Sequence, residues 1–273
     1  MNNFKTIFHT PKPIVGMVHL RALPGTPKYE NNINAIIIKA VEEALVYQKA
    51  GVNGLLIENM HDVPYLKNEV GPEISSLMTI IGYEIKNKTQ LPCGVQVLSS
   101  ANEAALAIAH SAGLDFIRAE GFVFGHLADE GYVDSCAGGL LRYRKKIGAE
   151  SVAIFTDIKK KHSSHALTAD VNIVETAKAA EYFLSEGLII TGSSTGQTPD
   201  LDEIRLVKEN VNIPVLIGSG INLENIKNYW PVCDAMIVGS HFKKNNFWAN
   251  ELDAEKIFQF MMKVNELRLL DFN

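Results

Sequence analysis

Short apolar runs alternate along the chain with longer segments whose apolar residues recur at helical spacing. The first strand is predicted at residues 15–19. In the segment that follows, apolar residues lie three, four and seven positions apart, which indicates one buried face of a helix. This face carries Ile33, Ile36, Ile37, Ala40, Val41, Ala44 and Leu45. Gly51 follows the last turn, where glycine commonly ends a helix.

The same alternation continues to the end of the chain. Seven further strands are predicted at residues 55–58, 94–98, 116–120, 152–157, 188–191, 214–217 and 235–238. Helices are predicted between them at residues 73–87, 102–112, 139–147, 172–185, 201–208 and 223–229. A last helix carries Ile257, Phe260, Met261, Val264 and Leu267 on one face.

Eight strand–helix alternations favour an α/β fold of the (β/α)8 type, a TIM barrel of eight parallel strands. Residues 54–57 are apolar on both faces of the strand, as buried parallel strands must be. A doubly wound open sheet is the structural alternative. Residues 1–273 are predicted to form one domain, because no linker or low-complexity tract divides them.

The connections differ in length on the two sides of the predicted strands. Those that lead into strands are short, whereas long loops follow strands at residues 59–72, 121–138 and 158–171. In a (β/α)8 barrel every strand-to-helix loop opens on one face, where active sites lie. Because the long loops lie on that face, we predict a binding site there.

Composition narrows the classes of partner. The formal net charge is -5, and the basic clusters near Arg142 and Lys159 are short, so nucleic acid is not predicted as a partner. Three separated cysteines predict neither a disulfide framework nor a cysteine-built zinc site, which fits a reducing compartment such as the cytoplasm. No secretory signal and no transmembrane run are recognised. Peripheral membrane association and a homo-oligomer are both compatible with the sequence.

Two glycine clusters predict a phosphate site. Gly218, Ser219 and Gly220 follow the seventh strand, and Gly239 and Ser240 follow the eighth. Glycine lets backbone N–H groups approach an anion closely. In this barrel fold the loops after the seventh and eighth strands commonly form the phosphate-binding site. Plain turn geometry is the alternative. The first cluster is not a dinucleotide fingerprint, and no cofactor is predicted.

Polar residues at other strand ends are candidates for chemistry. Glu58 and Asp157 are predicted as acid/base groups, with His19 and Arg118 orienting the ligand or stabilising charge, and Glu120 is included with them. Strand alternation places Arg118 with Glu120, and Asp157 with Lys159, on shared faces. The alternatives are a structural ion pair between Arg118 and Glu120 and a core role for His19.

Five further residues are predicted to contact the substrate: Asn59, Gln96, Lys159, Thr191 and Ser193. Lys159 would need desolvation to form a Schiff base, and its two lysine neighbours favour an exposed loop instead. Histidines 162 and 165 would share a face only in a helix, and His61 and Asp62 lie on another loop. For these loops we favour anion binding or a mobile lid over a metal site, and no metal is predicted. A metal-dependent hydrolase stays an alternative.

The order of several motifs resembles the BtpA family, also called BtpA/SgcQ. The matching stretches are Pro13-Ile14-Val15-Gly16-Met17-Val18-His19-Leu20, Leu23-Pro24-Gly25, Gly54-Leu55-Leu56-Ile57-Glu58-Asn59, Asp62-Val63-Pro64, Phe116-Ile117-Arg118-Ala119-Glu120, residues 157–162, Thr191-Gly192, Gly218-Ser219-Gly220 and Val238-Gly239-Ser240. They cover nearly the whole chain. The resemblance implies a ribulose-phosphate-binding-like barrel. Family members are associated with photosystem I biogenesis or carry a nucleosidase label.

The leading hypothesis is an enzyme that acts on a phosphorylated sugar or nucleoside-like molecule, as a nucleosidase, lyase or isomerase. Holding the phosphate would orient the reacting end of the substrate. A non-enzymatic factor for biogenesis of a membrane complex is the main rival, and a metal-dependent hydrolase is a third possibility.

Overall fold

The computed structural model describes residues 3–192 and 194–271. Its centre is a closed barrel of eight parallel strands. The strands are β1 (Ile14–His19), β2 (Gly54–Glu58), β3 (Cys93–Gln96), β4 (Phe116–Ala119), β5 (Ala153–Ile158), β6 (Gly187–Ile190), β7 (Val215–Ile217) and β8 (Ala235–Val238). The barrel closes where β1 pairs with β8. The predicted TIM-barrel fold is therefore confirmed.

Helices surround the barrel and follow the predicted alternation. They are α1 (Asn3–Ile7), α2 (Ile33–Lys49), α3 (Pro72–Thr89), α4 (Asn102–Ala112), α5 (Ala137–Lys146), α6 (Ile173–Tyr182), α7 (Leu201–Asn210), α8 (Ile226–Tyr229) and α9 (Ala254–Asp271). The predicted helix at 223–229 begins later, because Asn222 Oδ1 accepts from the N–H groups of Glu224 and Asn225 and holds a turn there. None of the helices in the described residues is long and apolar enough to cross a bilayer.

The amino-terminal helix α1 was not predicted, and it closes the bottom of the barrel. Phe4 and Phe8 are buried against the aromatic side chains inside the barrel, with the rings of Phe8 and Phe116 5.7 Å apart. Gly94 leaves the space that the Phe116 ring occupies, because a Cβ there would lie 2.2 Å from it. The barrel interior is thus filled by packed side chains at this end.

Two long loops over the top of the barrel form a small antiparallel sheet, which was not predicted either. A hairpin of His126–Ala128 and Gly131–Val133 follows β4, and Ser163–Ser164 from the loop after β5 pairs with its first strand. We call these three strands the cover sheet. Asp129 and Glu130, in the hairpin turn, lie at the edge of the cavity described below.

Candidate functional site

A cavity of about 520 Å³ opens at the carboxyl ends of the barrel strands. It is lined by polar side chains from β1 to β5 on one side and by the glycine loops after β7 and β8 on the other. All five residues predicted for phosphate line it: Gly218, Ser219, Gly220, Gly239 and Ser240. All five residues predicted for catalysis line it as well: His19, Glu58, Arg118, Glu120 and Asp157.

The glycine side of the cavity offers free backbone donors. Within residues 3–192 and 194–271, the N–H groups of Ser219, Gly220, Gly239 and Ser240 donate no hydrogen bond to the protein. Unpaired N–H groups beside a cavity favour an anion, which can accept several of them at once. This side of the cavity therefore has the chemistry of an anion site.

In these loops, position 220 has the strongest requirement for glycine. Its φ is +74°, in the left-handed region, and a Cβ would lie 2.4 Å from the backbone of Gln197. The loop after β6 packs directly against it, and Gly196 N–H donates to Ser219 Oγ at 3.1 Å. The loops after β6 and β7 are thus joined, and Gly220 is needed for that close approach.

Arg118 and Asp157 form a buried two-point ion pair across β4 and β5. Arg118 Nε donates to Asp157 Oδ2 at 2.8 Å and Nη2 to Oδ1 at 2.7 Å. The alternative of a structural Arg118–Glu120 pair is wrong. The long arginine side chain reaches the neighbouring strand, and both oxygens of Asp157 match its planar fork.

Glu120 has its own partners on the other side. Lys160 Nζ lies 3.2 Å from Glu120 Oε1, and Ser100 N–H donates to Oε2 at 3.1 Å. Although burial opposes ionisation, the charges of Lys160 and Arg118 hold the pKa of Glu120 below its usual value. Glu120 is therefore a fixed negative charge at neutral pH.

Glu58 differs from the other two carboxylates. Burial raises its pKa, and the positive charges of Arg118 and Lys161 offset part of that rise. His19 Nε2 lies 3.6 Å from its Oε2. Burial and the charge of Lys243 lower the pKa of His19 to about 3, so this contact is not an ion pair near neutral pH. A carboxyl with a raised pKa is suited to proton transfer.

The tautomer of His19 follows from its other contact. Its Nδ1 lies 3.2 Å from the carbonyl oxygen of Trp248, and a carbonyl only accepts. Nδ1 therefore carries the proton and donates it to Trp248. The Nε2 lone pair then faces Glu58 and the cavity as an acceptor.

Gln96 supplies an unpaired acceptor. Its side chain is 2% exposed and lines the cavity beside Glu58. In the part of the chain that the structure describes, its Oε1 has no hydrogen-bond partner. A buried amide oxygen is costly to leave unpaired, so it is matched to a donor on a ligand, such as a hydroxyl or an amine.

The structure places Lys159 outside the cavity. Strand β5 ends at Ile158, and the backbone of Lys159 turns into the left-handed region with φ of 46°. Alternation stops where the strand stops, so Lys159 does not line the cavity that Asp157 lines, although the two residues border a separate small pocket. Lys159 Nζ instead donates to the carbonyl oxygen of Thr168 at 2.9 Å.

Two other residues predicted to contact the substrate brace loops and do not line the cavity. Asn59 accepts from Leu98 N–H at 2.7 Å and donates to Asp62, whose other oxygen accepts from Leu23 N–H at 2.8 Å. Thr191 Oγ1 accepts from Lys161 N–H at 3.1 Å. Ser193 lies outside the described residues. Of that predicted set, Gln96 is the one described residue that lines the cavity.

Several lining residues were not singled out in the sequence as ligand contacts. Lys160 and Lys161 follow Lys159 in the same basic run, and the structure shows that the later two face the cavity. Trp248 comes from the long segment between β8 and α9, and its ring lies 4.9 Å from that of His61. The lysine run was the available signal for the first two, whereas no comparable pattern surrounds Trp248.

The histidine pair in the loop after β5 does not converge. His162 Nε2 lies 2.9 Å from Thr195 Oγ1, whereas His165 Nε2 lies 2.9 Å from the carbonyl oxygen of Lys160. The segment between them is extended, so the two rings do not share a helical face. No group of three or more potential metal ligands occurs among residues 3–192 and 194–271.

A family model described as the BtpA family matches residues 10–266. The chain belongs to the BtpA family. A Caenorhabditis elegans protein labelled mitochondrial is 48% identical over 96% of each chain. The photosystem I biogenesis protein BtpA of Synechocystis is 33% identical over 97% of this chain and 92% of its own. The resemblance found in the sequence is confirmed, whereas the expected cytoplasmic location is not.

Solved structures resemble this BtpA-family chain at the level of fold. The geranylgeranylglyceryl phosphate synthase of Thermoplasma acidophilum, in complex with sn-glycerol-1-phosphate, superposes with a TM-score of 0.60 over 97% of each chain at 16% identity. Thiamine phosphate pyrophosphorylase from Pyrococcus furiosus gives a TM-score of 0.58 over 93% of this chain and 96% of its own at 14% identity. Both comparisons agree with the closed barrel.

Proposed function

We propose that this BtpA-family chain is an enzyme that acts on a phosphorylated sugar or nucleoside-like molecule. The phosphate is held between the loops after β7 and β8, and the reacting end lies beside Glu58. The observation that carries this proposal is the set of unpaired N–H groups at Ser219, Gly220, Gly239 and Ser240, which border the same cavity as the polar strand ends.

The opposite side of the cavity supplies the chemistry. Glu58 is the proposed general acid and base, because its raised pKa lets it hold a proton closer to neutral pH. Gln96 Oε1 accepts from a substrate hydroxyl, and His19 Nε2 offers a second neutral acceptor. Arg118, fixed by Asp157, stabilises negative charge that develops on the substrate.

The names of the neighbouring structures support the phosphate part of the proposal. One binds sn-glycerol-1-phosphate as substrate, and the other is named for thiamine phosphate. A remote phosphate anchor gives binding energy that orients the rest of the substrate. The same arrangement fits hydrolysis or lysis of a glycosidic bond and sugar isomerisation.

Ser240→Asp tests the anchor. A carboxylate placed beside the bound phosphate repels it, and the affinity for ribose 5-phosphate is expected to fall by roughly tenfold or more. Ser240→Asn is the matched control, since it has nearly the same size without the charge, and it is expected to bind within about threefold of wild type. Isothermal titration calorimetry gives both values. Equal affinity in the two variants contradicts a phosphate at this position.

A second function is favoured by one relative. The Synechocystis protein is named for photosystem I biogenesis, so assembly of a membrane complex is the alternative role. Glu58→Gln separates the two, because a non-enzymatic factor does not need a proton-transfer group. In a strain that depends on this chain, full cellular function of the variant supports the assembly role, and loss of function with normal protein level supports the enzyme.

A further inference from the structure

Three consecutive lysines after β5 have three different environments. Lys159 is bound to Thr168 outside the cavity, and Lys160 is paired with Glu120. Lys161 lines the cavity, and across residues 3–192 and 194–271 its ammonium group has no hydrogen-bond or ion-pair partner. A largely desolvated amine without a partner destabilises the fold, so its place is better explained by a reaction than by stability.

The backbone on both sides of this side chain is held in place. Lys161 N–H donates to Thr191 Oγ1 at the end of β6, and the Lys161 carbonyl oxygen accepts from Ser163 Oγ at 3.3 Å. These two contacts fix the direction in which the side chain leaves the loop. They also give Thr191, predicted as a substrate contact, a role in positioning Lys161.

The surroundings of Lys161 make its ammonium group easier to deprotonate. Its side chain lines the same cavity as Arg118, Glu58 and Asp157 and interacts with the charges of all three. Burial and the positive charge of Arg118 lower the pKa of Lys161, and the carboxylates of Glu58, Asp157 and Glu120 only partly oppose this. A desolvated lysine beside another cation is a recognised arrangement for a nucleophilic amine at neutral pH.

We propose that Lys161 forms a Schiff base with the aldehyde or ketone carbon of a phosphorylated substrate. The assignment rests on the proposed function, because the phosphate anchored at Ser219 to Gly220 and Gly239 to Ser240 brings the carbonyl into the cavity where Lys161 lies. The substrate class is therefore a phosphorylated carbonyl compound, such as the open-chain form of a sugar phosphate.

The step balances with the groups present. The neutral Lys161 amine attacks the carbonyl carbon and forms the C–N bond, and one amine proton moves to the carbonyl oxygen to give a carbinolamine. Protonated Glu58 then donates its proton to the carbinolamine hydroxyl, and the C–O bond breaks to release water. The nitrogen lone pair closes the C=N bond, which leaves a protonated imine beside the Glu58 carboxylate.

Borohydride trapping tests this step. The full chain is incubated near neutral pH with glyceraldehyde 3-phosphate and sodium cyanoborohydride, which reduces the imine to a stable amine. Peptide mapping by mass spectrometry then locates the adduct. We expect it at Lys161, forming at least about tenfold faster than at any other lysine because the carbonyl is held nearby. Unphosphorylated glyceraldehyde is expected to react more slowly there.

Two variants give the controls. Lys161→Met removes the amine, keeps a similar length and adds no charge, so it is expected to lose the adduct while its binding of inorganic phosphate and its melting temperature do not fall below those of wild type. Lys159→Arg changes the neighbouring lysine outside the cavity and is expected to keep the adduct at Lys161. Adducts spread evenly over surface lysines, or none at Lys161, overturn the proposal.

The outcomes also separate this proposal from the proposed function. If inorganic phosphate binds to wild type and Ser240→Asp weakens it, but glyceraldehyde 3-phosphate leaves Lys161 unmodified, the Schiff base is wrong and the phosphate site stands. If Lys161 is modified but inorganic phosphate does not slow the reaction, the Schiff base stands and the phosphate site is wrong.

Discussion

At the scale of single residues, the cavity holds buried carboxyl groups in two different environments. Arg118 and Asp157 neutralise each other through two hydrogen bonds. Glu58 has no such partner among residues 3–192 and 194–271, and burial raises its pKa. The first arrangement gives a fixed geometry, whereas the second gives a carboxyl whose proton can move, and proton transfer needs both.

Glu58→Gln is expected to stabilise the protein at neutral pH. A raised pKa in the folded state means that folding disfavours the carboxylate, so wild type loses stability as pH rises from the unfolded pKa through the folded one. The amide removes that penalty and should add about 1 kcal/mol to the free energy of unfolding at pH 7. Urea denaturation at several pH values measures it.

The pH dependence is the discriminating part of that experiment. The gain should disappear below about pH 4, where Glu58 is protonated in both states. Glu209→Gln, at an exposed position, serves as the control and should change stability by less than about 0.5 kcal/mol at either pH. A destabilised Glu58→Gln variant at pH 7 contradicts the assigned environment of this carboxyl.

Arg118→Met is expected to destabilise the protein by about 3–5 kcal/mol, because it leaves the Asp157 carboxylate buried without its partner. The double variant Arg118→Met with Asp157→Leu should recover at least about half of that loss. Arg205→Met breaks an exposed pair and should cost less than about 1 kcal/mol. Chemical denaturation gives all three values; equal losses at Arg118 and Arg205 disagree with a buried pair.

The sequence located these residues but not their contacts. Alternation correctly predicts that Arg118 on β4 and Glu120, one residue beyond its end, face the same way, since both side chains reach the cavity. It cannot show that the arginine reaches across to β5, because pairing depends on which strands are neighbours and on side-chain length. Lys159 was misplaced for a related reason: the left-handed turn after Ile158 is not visible in the pattern.

At the scale of elements, the barrel strands and the long helices were predicted from their periodic patterns. The shortest helix and the short strands of the cover sheet were missed. Helix α1 has 5 residues, too few to show a helical period, although it places Phe4 and Phe8 inside the barrel. Each hairpin strand of the cover sheet has 3 residues. Such elements depend on tertiary contacts, which the local pattern does not record.

Phe8→Ala tests whether α1 belongs to the barrel core. Removing the ring leaves a cavity against Phe4 and Phe116, and a loss of about 3–5 kcal/mol in the free energy of unfolding is expected. Phosphate affinity should stay within about twofold, since this end lies opposite the ligand cavity. Lys5→Ala, at an exposed position on α1, should have little effect. A Phe8→Ala variant as stable as wild type contradicts the packing of α1.

At the scale of the whole molecule, barrel closure creates the site from residues far apart in the chain. Pairing of β1 with β8 brings His19 and Glu58 near Gly239. The sequence predicted this meeting because strand order alone determines it in a closed parallel barrel. It did not predict the cover sheet or Trp248 at the cavity, because these depend on how long loops fold over the barrel end.

Crystals of the full chain soaked with ribose 5-phosphate show directly whether the glycine loops bind a phosphate. We expect phosphate density between the loops after β7 and β8, within hydrogen-bond distance of the N–H groups of Ser219, Gly220, Gly239 and Ser240, with the sugar extending toward Glu58. Phosphate density only at other surfaces, or none at saturating ligand, contradicts it.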